Sequence, residues 1–125
     1  MSNEPITIHG DGQQSRCFGH VTDVAGALVT ILETPDCFGQ VINVGNDEEI
    51  TIRNLAERVL ELTGSSSELQ YIPYNEVYGD GFEDMQRRVP SIERLRELTG
   101  HRMERNQDTI IRDVHEFFEC QQKAN

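Results

Sequence analysis

Few residues in this sequence have types and spacing that suit chemistry, and most familiar catalytic patterns are missing. Gly10-Asp11-Gly12 is followed by Ser15, and Gly79-Asp80-Gly81 by Asp84. Neither completes the glycine spacing that lets a backbone close on a dinucleotide pyrophosphate. The sole lysine is Lys123, so there is no phosphate-binding P-loop. Four residues before it stands Glu119, so there is no Tyr-x-x-x-Lys pair either. A Gly-x-Ser-x-Gly elbow is absent. His9, His20, His101 and His115 fall at no metal-ligand spacing and read as structural or surface residues. Carboxylates are plentiful, but sequence separation alone does not make a glycosidase pair.

What remains is arginine, which supplies all the cations except Lys123. A guanidinium meets a phosphate with two parallel hydrogen bonds, which an ammonium cannot do. A compositional bias of the lineage accounts for the arginine count equally well. Arg16 stands out because it follows a Gly-x-Gly turn and lies beside a strand. Its plain alternative is a surface salt bridge in a very acidic chain. Arg88 stands at the end of a long irregular stretch, just before Pro90; its neighbour Arg87 reads as solvated.

These residues need a frame. Residues 5–8 read as a short strand ending in the turn 9–12, and 17–21 as a second strand. Thr22 or Asp23 is expected to cap a helix with Val24, Ala27, Leu28, Ile31 and Leu32 on its apolar face. Thr34-Pro35-Asp36 stops it. The β-branched run Val41-Ile42-Asn43-Val44 reads as the clearest strand. Thr51 is expected to cap a helix over 52–63, striped by Leu55, Val59, Leu60 and Leu62 and closed by Gly64. Leu69 to Ile72 follows as a strand. Residues 74–90 read as a long structured loop, a feature that is often functional. Ser91 is expected to cap a short helix over 92–99, closed by Gly100. A last helix over about 107–121 should turn Ile110, Ile111, Val114, Phe117 and Phe118 inward. The alternation implies a small α/β layer structure, taken as one domain over residues 1–125.

Bulk properties narrow the partners. The chain has 125 residues, 36% of them hydrophobic, enough for a real core. Its net charge of −11 argues against nucleic acid and anionic membranes, which require a basic surface. A small anion needing one or two arginines is still allowed. No apolar stretch is long enough to span a bilayer, and no secretory signal is visible. Cys17, Cys37 and Cys120 are widely spaced and fit reduced thiols in the cytoplasm better than disulfides or zinc ligands.

Three ordered segments carry a family resemblance. They are Ile8-His9-Gly10-Asp11-Gly12-Gln13-Gln14-Ser15-Arg16-Cys17-Phe18 with His20-Val21-Thr22-Asp23, then Val41-Ile42-Asn43-Val44-Gly45-Asn46 with Ile50-Thr51-Ile52, then the run from Tyr78 to Ile92. Together they resemble the C-terminal substrate domain of extended short-chain dehydrogenases/reductases, the NAD-dependent nucleotide-sugar epimerases, dehydratases and decarboxylases. The third segment is most similar to the UDP-glucuronate decarboxylase group. The resemblance covers about residues 5–120. It implies that a Rossmann domain, absent here, binds NAD and carries the catalytic tyrosine and lysine. It implies that this chain grips the nucleotide diphosphate, with a UDP-sugar favoured, and binds no cofactor or metal itself.

By that resemblance Arg16 and Arg88 contact the diphosphate, and Arg88 also lies near a sugar acid. Gln14 matches a glutamine of relatives and touches substrate, or is a solvated turn residue. Tyr78 and Phe82 line the nucleotide pocket or pack in the core. Ser91 stands where relatives carry aspartate; helix capping competes with a ribose contact. Ile52 packs at a helix start or against the base. Asn43 and Gly45 read as turn geometry, and the role of His9 stays open. No catalytic residue is assigned, so the chain alone is expected to be inactive. The competing readings are a free-standing nucleotide-sugar-binding module and an interaction domain without catalysis. Separation from a Rossmann partner should expose an apolar patch, which favours a homodimer.

Overall fold

The structure is a computed structural model that describes residues 4–79, 81 and 84–124. Its elements alternate between short strands and helices: β1 (Ile6–His9), β2 (Ser15–Cys17), α1 (Val21–Glu33), a 3-10 turn (Pro35–Cys37), β3 (Glu49–Thr51), α2 (Ile52–Thr63), β4 (Leu69–Ile72), α3 (Tyr74–Tyr78), α4 (Glu93–Thr99) and α5 (Gln107–Ala124). Among the described residues no helix is long and apolar enough to cross a membrane. The architecture is the small α/β arrangement that the alternation implied.

The chain gathers into two compact units, each drawn from separate stretches. The first takes the described residues of Met1–Arg16, Ile50–Arg88 and Ile111–Asn125; the second takes Cys17–Glu49 and Val89–Ile110. Because each unit is discontinuous, no linker marks the division in the sequence.

In the first unit β1 and β4 pair in parallel, with Ile6 opposite Leu69 and His9 opposite Ile72. Parallel strands need a long crossover, and the intervening sequence supplies it. The pairing extends at both ends, from Ile6 N–H to Glu68 O (2.9 Å) and from Gly10 N–H to Ile72 O (2.8 Å). α2 packs on β1, burying Ile8 and Ala56, with Leu55, Val59, Leu60 and Leu62 half-buried. Its ends are those the sequence called for: the Thr51 hydroxyl accepts from Asn54 N–H, and Gly64 sits in the left-handed region at φ 63°. β2 and β3 form a second two-stranded sheet. Ile52 N–H donates to Gln14 O and Arg53 N–H to Gly12 O, both at 3.0 Å.

In the second unit Ala27, Cys37, Ile92 and Leu95 are buried. α1 packs against the 3-10 turn. The link from α1 to the segment before α5 is made by Asp23. Its carboxylate accepts from the backbone N–H of Glu104 (3.1 Å) and Arg105 (2.9 Å) and from the Arg105 guanidinium. Nε2 of His101 lies 3.1 Å from the Asp23 carbonyl. Arg96 pairs with Asp47 at 3.0 Å, and Arg94 donates to Val41 O at 3.1 Å.

Several expectations are corrected. The second strand occupies Ser15–Cys17 rather than 17–21. The cap of α1 is His20, whose Nδ1 accepts from Thr22 N–H, because Asp23 is committed to the Arg105 knot. α4 is capped at Ile92 without a side-chain bond, so Ser91 is not its cap. Residues 74–78, read as loop, form α3. Val41–Val44 forms no strand, and Val41 is 83% exposed. On α1, Ala27 is buried and Val24 and Ile31 are half-buried, while Leu28 and Leu32 are exposed. On α5, Ile111 is buried but Val114, Phe117 and Phe118 are exposed. A helical period reveals an apolar face; it does not reveal whether the same chain covers it.

Candidate functional site

The first unit holds an open cleft of about 290 Å³ lined by Thr7, His9, Gln14, Arg16, Ile52, Tyr74, Tyr78 and Asp84. Four local devices build it. β1 delivers Thr7 and His9, and the Gly10-Asp11-Gly12 turn then reverses the chain. Gly10 has φ 76°, and a Cβ there would come within 2.4 Å of the Tyr74 ring, so only glycine lets that ring close on the turn. The Asp11 carboxylate accepts from Gln13 N–H at 2.9 Å, fixing the turn. β2 then presents Arg16. Alongside it runs the segment 84–88, tied on by Ser15 N–H to Gln86 O (2.8 Å) and by a parallel bridge from Ser15 to Arg87.

Arg16 is the only arginine or lysine among the described lining residues. Its Nη1 donates to the carbonyls of Ser15 and Met85, each at 2.7 Å. Its Nη2 reaches both oxygens of Asp84 at 2.7 and 2.8 Å. The Tyr74 hydroxyl donates to Asp84 Oδ2 at 3.0 Å. Burial, then this bond and the Asp84 charge, push the Tyr74 phenol up, so it stays a donor.

Gln14 is buried, and its Nε2 donates to His9 O at 2.9 Å. Its Oε1 is buried without a hydrogen-bond partner among the described residues. A shielded acceptor of this kind costs stability unless something donates to it. Nδ1 of His9 lies 3.0 Å from the Tyr78 hydroxyl, and their rings meet edge-on. Tyr74 and Tyr78 have ring centroids 6.2 Å apart on α3. The cleft thus offers one guanidinium, one unmet acceptor and a cluster of aromatic faces. That set can grip an anion carried on a planar, hydrogen-bonding body.

The structure brings together Gln14, Arg16 and Tyr78 of the residues expected from sequence. Arg88 is exposed and does not line the cleft. Ser91 lies in the second unit, exposed, its carbonyl accepting from Asn43 Nδ2 at 3.1 Å. Phe82 lies outside the described residues. Sequence reasoning missed Asp84 and Tyr74 and left His9 open. The pairing of Asp84 with Arg16 spans 68 positions and has no local signal. No cluster of metal-ligating side chains occurs among the described residues.

Residues 1–45 match the model of the NAD dependent epimerase/dehydratase family. Over 98 residues the chain is 33% identical to UDP-N-acetyl-alpha-D-glucosaminuronate decarboxylase of Bacillus cytotoxicus, covering 78% of this chain and 30% of that protein. These matches relate the chain to the NAD-dependent epimerase/dehydratase family. A UDP-glucuronic acid 4-epimerase variant of Bacillus cereus, solved with a fluorinated UDP-sugar acid and NAD, is 25% identical. It matches with a TM-score of 0.74 over 86% of this chain and 32% of its own. The dTDP-glucose 4,6-dehydratase of Bacillus anthracis, solved with NAD, shares the fold at a TM-score of 0.81 and 19% identity, over 96% of this chain and 36% of its own.

The chain therefore spans about a third of the length of the relatives it matches. The family implies NAD, and the glycine turn among the described residues does not fit it. The Gly10-Asp11-Gly12 turn runs into β2, not into the N-terminus of a helix that could receive the cofactor pyrophosphate.

Proposed function

We propose that this chain is the substrate-gripping part of an NAD-dependent nucleotide-sugar epimerase, dehydratase or decarboxylase. Arg16 takes the diphosphate, Gln14 Oε1 accepts from a ligand donor, and Tyr78 borders the nucleotide. A UDP-sugar is the favoured ligand. The observation that carries it is the cleft guanidinium set beside a buried, unmet amide oxygen. The UDP-sugar relatives support the same ligand class.

The hydride chemistry and NAD belong to a Rossmann portion. Support for such a partner comes from the second unit. Val21, Leu28, Val29 and Leu32 on α1 are exposed, as are Phe38 and Val41, and exposed apolar side chains gathered on one element favour a covering partner. A homodimer is the other way to cover it, and light scattering distinguishes a dimer from a monomer.

Calorimetry with UDP and UDP-glucuronate tests the grip. Binding is expected, and Arg16→Ala should weaken it about tenfold or more. Unchanged binding in Arg16→Ala overturns the site. Turnover of UDP-glucuronate with NAD by this chain overturns the division of labour.

A further inference from the structure

The ligand-binding edge of Arg16 already has an occupant. Its Nη1 is anchored by two main-chain carbonyls, those of Ser15 and Met85. Its Nη2 is given to Asp84, whose carboxylate is held a second time by Tyr74. The two side chains are 21% and 26% exposed, so the pair is shielded from bulk water yet opens on the cleft. A guanidinium has five N–H groups and no acceptor. With Nη1 fixed on the backbone and Nε offering a single N–H, an anion that takes paired hydrogen bonds from the guanidinium must compete for Nη2 with a carboxylate.

We propose that Asp84 is an internal counter-anion that sets the affinity and selectivity of the Arg16 site, and that a diphosphate binds by displacing it. The proposal rests on the reading of Arg16 as the diphosphate contact. A ligand carboxylate offers Arg16 only what Asp84 already gives, and it adds repulsion from Asp84. A diphosphate carries more charge on more oxygens and outcompetes it. Displacement leaves Arg16 in place, because the Nη1 bonds to Ser15 and Met85 are independent of Asp84. The arginine is therefore preorganised, and the energy lost on binding is that of the Asp84 contacts alone. Tyr74 supports the closed arrangement by donating to Asp84 Oδ2.

Asp84→Asn keeps the shape and a polar partner for Tyr74 while removing the charge. Inorganic pyrophosphate and UDP are titrated into the 125-residue chain by calorimetry at fixed ionic strength. Asp84→Asn is expected to bind both about tenfold more tightly than the parent, at an unchanged melting temperature. Tyr74→Phe, which releases one hold on the carboxylate, should shift affinity the same way by a smaller factor. Equal or weaker binding by folded Asp84→Asn, with binding lost in Arg16→Ala, overturns the counter-anion and leaves the site standing; Asp84 would then position Arg16. Binding that Arg16→Ala does not change, or no binding by any of the proteins, overturns the site reading and the counter-anion with it.

Discussion

Asp23 and Asp84 each hold an arginine, Arg105 and Arg16, but they are held differently in return. The Asp23 carboxylate accepts two main-chain N–H groups as well as its guanidinium, and it is buried. The Asp84 carboxylate takes its donors, among the described residues, from the side chains of Arg16 and Tyr74 alone. Main-chain donors cannot leave without unfolding the segment that carries them; side-chain donors can rotate away. The same residue pair therefore serves as a knot in one unit and as an exchangeable contact in the other.

The largest effect expected from breaking this comparison is on the knot. Asp23→Ala strands two main-chain N–H groups and a guanidinium, and should destabilise the chain by about 3 kcal/mol in urea unfolding. Gly10→Ala comes next. It forces a side chain into the left-handed region and into the Tyr74 ring, at a cost of about 2 kcal/mol, with loss of UDP binding. Acid should separate the pairs as well. Burial pushes the Asp23 carboxyl up, but the Arg105 N–H, the Arg105 guanidinium and the Glu104 N–H together bring it below the ordinary 3.8. A lowered carboxylate contributes stability that is full above 3.8 and is lost as pH falls from there through the folded value. Urea midpoints below pH 4 should therefore fall less steeply in Asp23→Asn than in the parent. The smallest effect is on the exchangeable pair: Asp84→Asn should change stability by under about 1 kcal/mol. A loss as large as that of Asp23→Ala would erase the distinction.

Local signals made much of the first unit legible. Thr51 and Gly64 bracket α2 by capping chemistry, and the Gly10-Asp11-Gly12 turn announces itself by residue type. Of the residues singled out by resemblance, Arg16, Gln14 and Tyr78 line one cleft. Asp84 was not, because its contact with Arg16 closes a loop of 68 positions. The knot at Asp23 was misread as a helix cap for the same reason: its partners lie beyond position 100. Val41–Val44 has a strand's composition, but strand formation requires a neighbour that composition does not specify. The outer faces of α1 and α5 were misassigned because amphipathic spacing is blind to the identity of the covering surface.

The bridge between Ser15 and the Gln86–Arg87 backbone also bears on time. It tethers Asp84 two residues from a fixed point, so freeing Arg16 takes a turn of one side chain, not the swing of a loop. Rotamer hops of partly exposed side chains take picoseconds to nanoseconds, far faster than ligand encounters at micromolar concentration. Association with pyrophosphate should therefore follow a single exponential whose rate rises linearly with ligand, with no plateau from a slow opening step.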